Sequence, residues 1–109
     1  MTWQLLAVAN KQDYIAKLQV AVSQLHNCEA HWLRTVPVHE VFKGKTVWQG
    51  DVEVFGITGH PKAIRCYAWS HLDGSSDEKT RFVTVLEIPP VKSAETAVQA
   101  SIMADSKTH

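Results

Sequence analysis

The sequence predicts an α+β, two-layer domain: an antiparallel four-stranded meander with an N-terminal and a C-terminal helix, in the order α-β-β-β-β-α. Three observations carry this. Apolar residues recur at helical spacing near both ends of the chain. Between Trp32 and Ile88 the apolar period changes to two. The segments between the strand-like runs are short, which favours antiparallel neighbours over crossover-linked parallel pairs.

Ile15, Leu18, Val22 and Leu25, widened by Tyr14 and Ala21, predict an amphipathic helix from about Lys11 to His26. Asn10 is the expected N-cap and Asn27 the expected stop. The apolar residues before Asn10 fit either an extra helical turn or a short strand. A first strand is expected over Leu33 to Phe42, with Pro37 marking it as an edge strand or breaking it. Lys43, Gly44 and Lys45 form the turn into a second strand, from Thr46 to Ile57. Trp48, Val52 and Val54 share one parity there, Gln49, Asp51 and Glu53 the other, and then Phe55 and Ile57 reverse the pattern. With Gly50 and Gly56 nearby, that reversal predicts a β-bulge or a change of partner.

Gly59, His60 and Pro61 break the chain before the third strand, Ile64 to Leu72. A polar loop, Asp73 to Lys79, leads into the fourth, Arg81 to Ile88, which Pro89 and Pro90 end. Ser93 is the expected N-cap of a closing helix, with Glu95 in its first turn and Ala94, Ala97, Val98 and Ile102 as its apolar stripe. Residues 1–10 and 105–109 are expected to fray.

The 109 residues suit a single domain able to fold without a metal or disulfide staple. Eleven Lys plus Arg balance eleven Asp plus Glu, which removes the broad attraction for polyanions on which most nucleic-acid binders depend. Two cysteines, Cys28 and Cys66, make no disulfide framework, and free thiols point to a reducing cytoplasm. The short apolar run at Leu5–Ala9 has no basic residue before it and does not resemble a signal sequence. No stretch approaches the ~18 apolar residues of a membrane span. The expected location is cytoplasmic.

The third strand holds the expected working surface. Ile64, Cys66, Ala68 and Leu72 point one way, Arg65, Tyr67, Trp69 and His71 the other. Small residues admit a helix, so the expected covered face is that of Cys66 and Ala68, joined by Phe82, Leu86 and Ile88 from strand four. The face of Arg65, Tyr67, Trp69 and His71, with Val83 and Val85, is then expected to be open, and Asp51 and Glu53 are its expected polar partners. Tyr, Trp and Arg are enriched at binding hot spots, and a large exposed apolar patch marks a contact surface. The expected function is therefore a binding or interaction module, homo-oligomeric through this outer sheet face. The alternative is a small enzyme or ligand carrier with a pocket lined by Tyr67, Trp69 and His71.

Other chemistry finds less support in the residues. His26, Cys28 and His31 cluster in sequence, and Cys66 and His71 offer further ligands, but paired zinc spacings are absent and neither a metal nor a cofactor is expected. Cys66 and His71 lie five positions apart, so a regular strand sends them to opposite faces and denies them a nucleophile–base bond. His71 with Asp51 or Glu53 would suit acid–base chemistry only if strands two and three pair there, and such pairs also occur as plain cross-strand contacts. The Gly59, His60, Pro61, Lys62, Ala63 segment reads as a tight turn rather than a phosphate loop, having no following helix. The α-β-α layout is similar to that of double-stranded-RNA-binding domains, but the last helix opens with Ala94 and Glu95 instead of a basic cluster, so nucleic acid is not the expected partner.

Finally, Trp48 to Phe55, Gly59 to Ala63, and Cys66, Tyr67, Ala68 and Trp69 give the middle third of the chain a resemblance to small uncharacterised bacterial proteins of the kind carried on mobile integron gene cassettes. The resemblance implies a compact, cytoplasmic, bacterial protein and supplies no catalytic residues.

Overall fold

The structure is a computed structural model that describes residues 2–72 and 80–107, with side chains described at 11–70 and 81–104. Helix α1 (Thr2–His26) precedes strands β1 (Glu29–Phe42), β2 (Lys45–Thr58), β3 (Arg65–Leu72) and β4 (Thr80–Leu86), and helix α2 (Ala94–Lys107) follows them. The strands form one open antiparallel sheet in the order β1-β2-β3-β4. The α+β class, the meander and the α-β-β-β-β-α order are those read from the sequence. The loop expected at Asp73 to Lys79 lies outside the described residues, as does any account of Met1, Thr108 and His109.

Helix α1 runs through Asn10, so that residue is helical and not the N-cap. Its C-terminal end matches expectation. Asn27 takes a left-handed φ of 52°, and the Cys28 N–H returns to the Ser23 carbonyl at 3.2 Å, closing the last turn. Strand β1 is an edge strand and Pro37 sits within it opposite Asp51, which explains how a residue without an N–H is accommodated. The β1–β2 hairpin turns on Lys43 (φ 52°) and Gly44 (φ 78°), the paired positive angles of a two-residue type I′ turn.

Ser93 caps α2 as expected. Its Oγ accepts the Thr96 N–H at 3.2 Å, while Thr96 Oγ1 accepts the Ser93 N–H at 2.9 Å, a reciprocal cap with threonine in the usual acidic position.

No bulge lies at Gly50 or Gly56; of the two expected outcomes it is the change of partner that occurs, because β2 pairs with β1 throughout but with β3 only from Glu53 to Gly56. Irregularities occur instead at Leu33 on β1, between Trp32 and Arg34, and at Val47 on β2, opposite Glu40 and Val41. The reversal of parity along β2 has another cause: from Val52 to Ile57 both faces of the strand are buried. Val52 and Val54 join a core with Tyr67, Trp69, Val91, Ala94, Ala97 and Val98. Phe55 and Ile57 join another with Leu18, Val22, Ala63, Cys66 and Ala68. The sheet thus lies between its helices, α1 on the Cys66 and Ala68 face and α2 on the Tyr67 and Trp69 face. The one covered face and two layers expected of the sequence are extended by a second covered face. A central strand covered on both faces reads as continuous apolar sequence, so the run at 52–57 needs no bulge.

Candidate functional site

Antiparallel strands β2 and β3 pair only from Gly56 opposite Arg65 to Glu53 opposite Ala68. Beyond Glu53 both strands continue, β2 paired with β1 and β3 with β4. The two hairpins therefore part, and side chains take over from the missing ladder. On the α1 face the Tyr14 hydroxyl accepts the Ser70 backbone N–H at 3.1 Å and lies 3.1 Å from the Ser70 hydroxyl. On the α2 face the Trp48 and Trp69 rings meet edge to face, 5.7 Å between centroids and 69° between planes.

Between these two bridges lies a cleft of about 470 Å³, bordered by Tyr14, Trp48, Asp51, Glu53, Ser70 and the exposed Lys11. This volume falls within the ordinary range of small-molecule sites. Beside it, a Cβ at Gly50 would lie 3.2 Å from the Trp48 ring, a tight contact that would shift the indole by a few tenths of an ångström, so glycine gives the ring room along its own strand. Glu53 is the buried charged side chain of the described core, 1% exposed. Its Oε1 accepts the Trp32 indole N–H at 2.8 Å and the Thr35 hydroxyl at 2.6 Å. Both donors come from β1, so the carboxylate is held from the side away from β3.

The sequence-derived site residues separate into three groups. Asp51 and Glu53 border the cleft, but on the α1 face, because Glu53 pairs with Ala68 and not with Tyr67 or Trp69. Tyr67 and Trp69 are not an open surface. They are 3% and 2% exposed beneath α2, packed against Ala94, Ala97 and Val98, and their expected role as a self-association face is corrected accordingly. Arg65 stays half-buried near the sheet end, 3.8 Å from Glu87, to which the Tyr67 hydroxyl donates. Burial and the Glu87 carboxylate together push the Tyr67 phenol up to about 12. His71 pairs with Arg81 through the backbone, and its side chain lies outside the described residues. No strand pairing sets His71 opposite Asp51 or Glu53, since β2 and β3 have already separated.

The histidine–cysteine run is likewise dispersed. His26 Nε2 meets Thr84 Oγ1 at 2.7 Å, Cys28 packs with the α1-side core, and His31 lies across Gly56 on the opposite face. Among the described residues no group of three His, Cys, Asp or Glu side chains converges on a point. In the Gly59–Ala63 turn, His60 Nδ1 accepts the N–H groups of Lys62 and Ala63 at 3.0 and 3.1 Å. An anion would need those same amides. Exposed apolar side chains gather elsewhere, at Val41, Phe42, Val47 and Met103, where the β1–β2 turn approaches α2.

Tyr14, Trp48, Ser70 and Lys11 complete the cleft and were not among the residues the sequence singled out. Tyr14 reads as part of a helical apolar stripe and Trp48 as a strand core residue. The usable signal was the pair Trp48 and Gly50, an aromatic followed two positions later on the same strand face by the residue that leaves it room. Compared with known proteins, the chain matches no family model, no curated protein and no solved structure. The integron-cassette resemblance therefore rests on its own residues. No described helix is long and apolar enough to cross a membrane.

Proposed function

We propose that the protein is a binding module that holds a small ligand in the cleft where β2 and β3 part. The observation that carries this reading is the end of β2–β3 pairing at Glu53 and Ala68 while both strands run on. An ordinary sheet would continue pairing. Here the space is kept open by Tyr14 on one face and the Trp48–Trp69 contact on the other, and a buried carboxylate borders it. Aromatic walls with a few fixed polar groups are what a small-molecule site requires. A binding role is favoured over catalysis because the groups assembled here include no nucleophile with an adjacent base. A reducing cytoplasmic setting fits the free thiols Cys28 and Cys66. Self-association through Tyr67 and Trp69 forms no part of this reading, since α2 occupies that face.

A fragment screen followed by amide chemical shifts tests it. Binders should move the Asp51 and Ser70 amides together, one from each side of the cleft. Shifts confined to the Phe42 and Met103 region, or none from a broad fragment set, would remove the proposal.

A further inference from the structure

Resting on the cleft reading, we infer that its ligand is a small organic monocation, an ammonium carried on an aromatic or apolar body. The geometry points to this through three features. First, Asp51 and Glu53 border the cleft against Lys11 alone, two carboxylates to one ammonium. Among the described residues neither carboxylate takes part in an ion pair; those present are Lys17–Asp13 and Arg65–Glu87. Lys11 stands beside the cleft without neutralising it.

Second, the Glu53 carboxylate is half committed. Both its donors, Trp32 Nε1 and Thr35 Oγ1, converge on Oε1. Among the described residues Oε2 receives no hydrogen bond, although the side chain is 1% exposed. Since no described side-chain polar atom is both buried and without a partner, Oε2 keeps a solvent contact at the cleft, where a charged N–H donor can reach it. Trp32 and Thr35 fix its orientation in advance, which reduces the ordering that binding requires.

Third, the Trp48 indole and the Tyr14 ring also wall the cleft, beside Gln49, Gly50 and Ser70. Aromatic faces attract ammonium groups and also accept an apolar ligand body. An anionic ligand would meet two carboxylates, and a neutral one could offer Oε2 only an uncharged, weaker donor. A bare metal ion finds too few strong ligands, since among the described residues no three His, Cys, Asp or Glu side chains converge and only Asp51 and Glu53 stand here.

The test compares three probes of one shape at neutral pH: phenethylamine, 2-phenylethanol and 3-phenylpropionate. Binding is read from the Ser70 and Asp51 amide shifts. Phenethylamine should bind at least tenfold more tightly than either analogue, and Glu53→Gln should remove that preference. The glutamine amide keeps an acceptor for Trp32 and Thr35, so the variant should stay folded. Asp51→Asn, at an exposed position, should weaken the amine several-fold and gives an independent reading should Glu53→Gln unfold. Equal or tighter binding of the alcohol or the acid would overturn the ammonium assignment and leave the cleft reading standing. An amine preference that survives both substitutions would also overturn it. Failure of all three probes to move either amide would overturn both.

Discussion

The Tyr14 hydroxyl accepts the backbone N–H of Ser70 at 3.1 Å, in the position where a β2 carbonyl would sit had the sheet continued. A helix side chain thereby finishes a strand. The contact joins α1 to the place where β2 and β3 part, so it serves both packing and the cleft. Tyr14→Phe keeps the ring and deletes this acceptor. The expected cost is about 1 kcal/mol, the net worth of an ordinary hydrogen bond, measured by urea unfolding, together with faster amide exchange at Ser70. An unchanged exchange rate at Ser70 would mean that the hydroxyl is not its partner.

Trp69 separates the burial account from the surface expected of the sequence alone. It is 2% exposed, in contact with Trp48 and covered by α2. Trp69→Ala should destabilise the fold by about 3–5 kcal/mol, as expected for loss of a buried tryptophan, without altering the solution mass of the folded protein. A stable Trp69→Ala variant whose mass falls from dimer to monomer would restore the interface reading.

Stability should decline at both ends of the pH range. Burial, and then the charge of His60, lower the His26 pKa below 6.5, so the folded state resists protonation more than the unfolded chain. Its contribution is present above the unfolded value and lost as pH falls through the lowered one. Tyr67 has the opposite sign. Its phenol is raised to about 12 from 10, so its contribution is present below pH 10 and lost as pH rises toward 12. Urea midpoints measured across pH check both limbs. Tyr67→Phe should flatten the alkaline limb and leave the acid limb in place.

The two thiols should differ in reactivity. Cys66 is fully buried, and burial followed by the nearby Cys28 raises its pKa to about 12. Cys28 is partly exposed, and burial raises its pKa too, yet it remains reachable. At pH 8 a disulfide reagent should label Cys28 in the native protein, and Cys66 only after denaturant is added. Equal rates at both positions would contradict the burial of Cys66 beneath α1.

Periodicity made most of the secondary structure legible because β3 alternates with a period of two and apolar residues recur at helical spacing near both ends of the chain. Parity also sorted part of the third strand correctly: Cys66 and Ala68 do face a helix, with Leu86 and Ile88 from the neighbouring chain segment, whereas Ile64 lies outside β3 and is exposed. It could not reveal that a second helix covers the other face. The sign was present at Val52, Val54, Phe55 and Ile57, where both parities are apolar, and a sheet buried on two sides explains that pattern as readily as a bulge does. The cleft was harder to read. It depends on where β2 stops pairing with β3, and no local propensity encodes that point. Asp51 and Glu53 were found from composition and parity, whereas Tyr14 reached the site only through the packing of α1.

The central claim is that the opening between β2 and β3 receives a small ammonium ligand. A crystal structure of the protein soaked with phenethylamine tests it most directly. The expected result is the ring between Tyr14 and Trp48 with its ammonium on Glu53 Oε2. Density for the amine in the groove of Phe42 and Met103, with the Glu53 cleft empty, would contradict it.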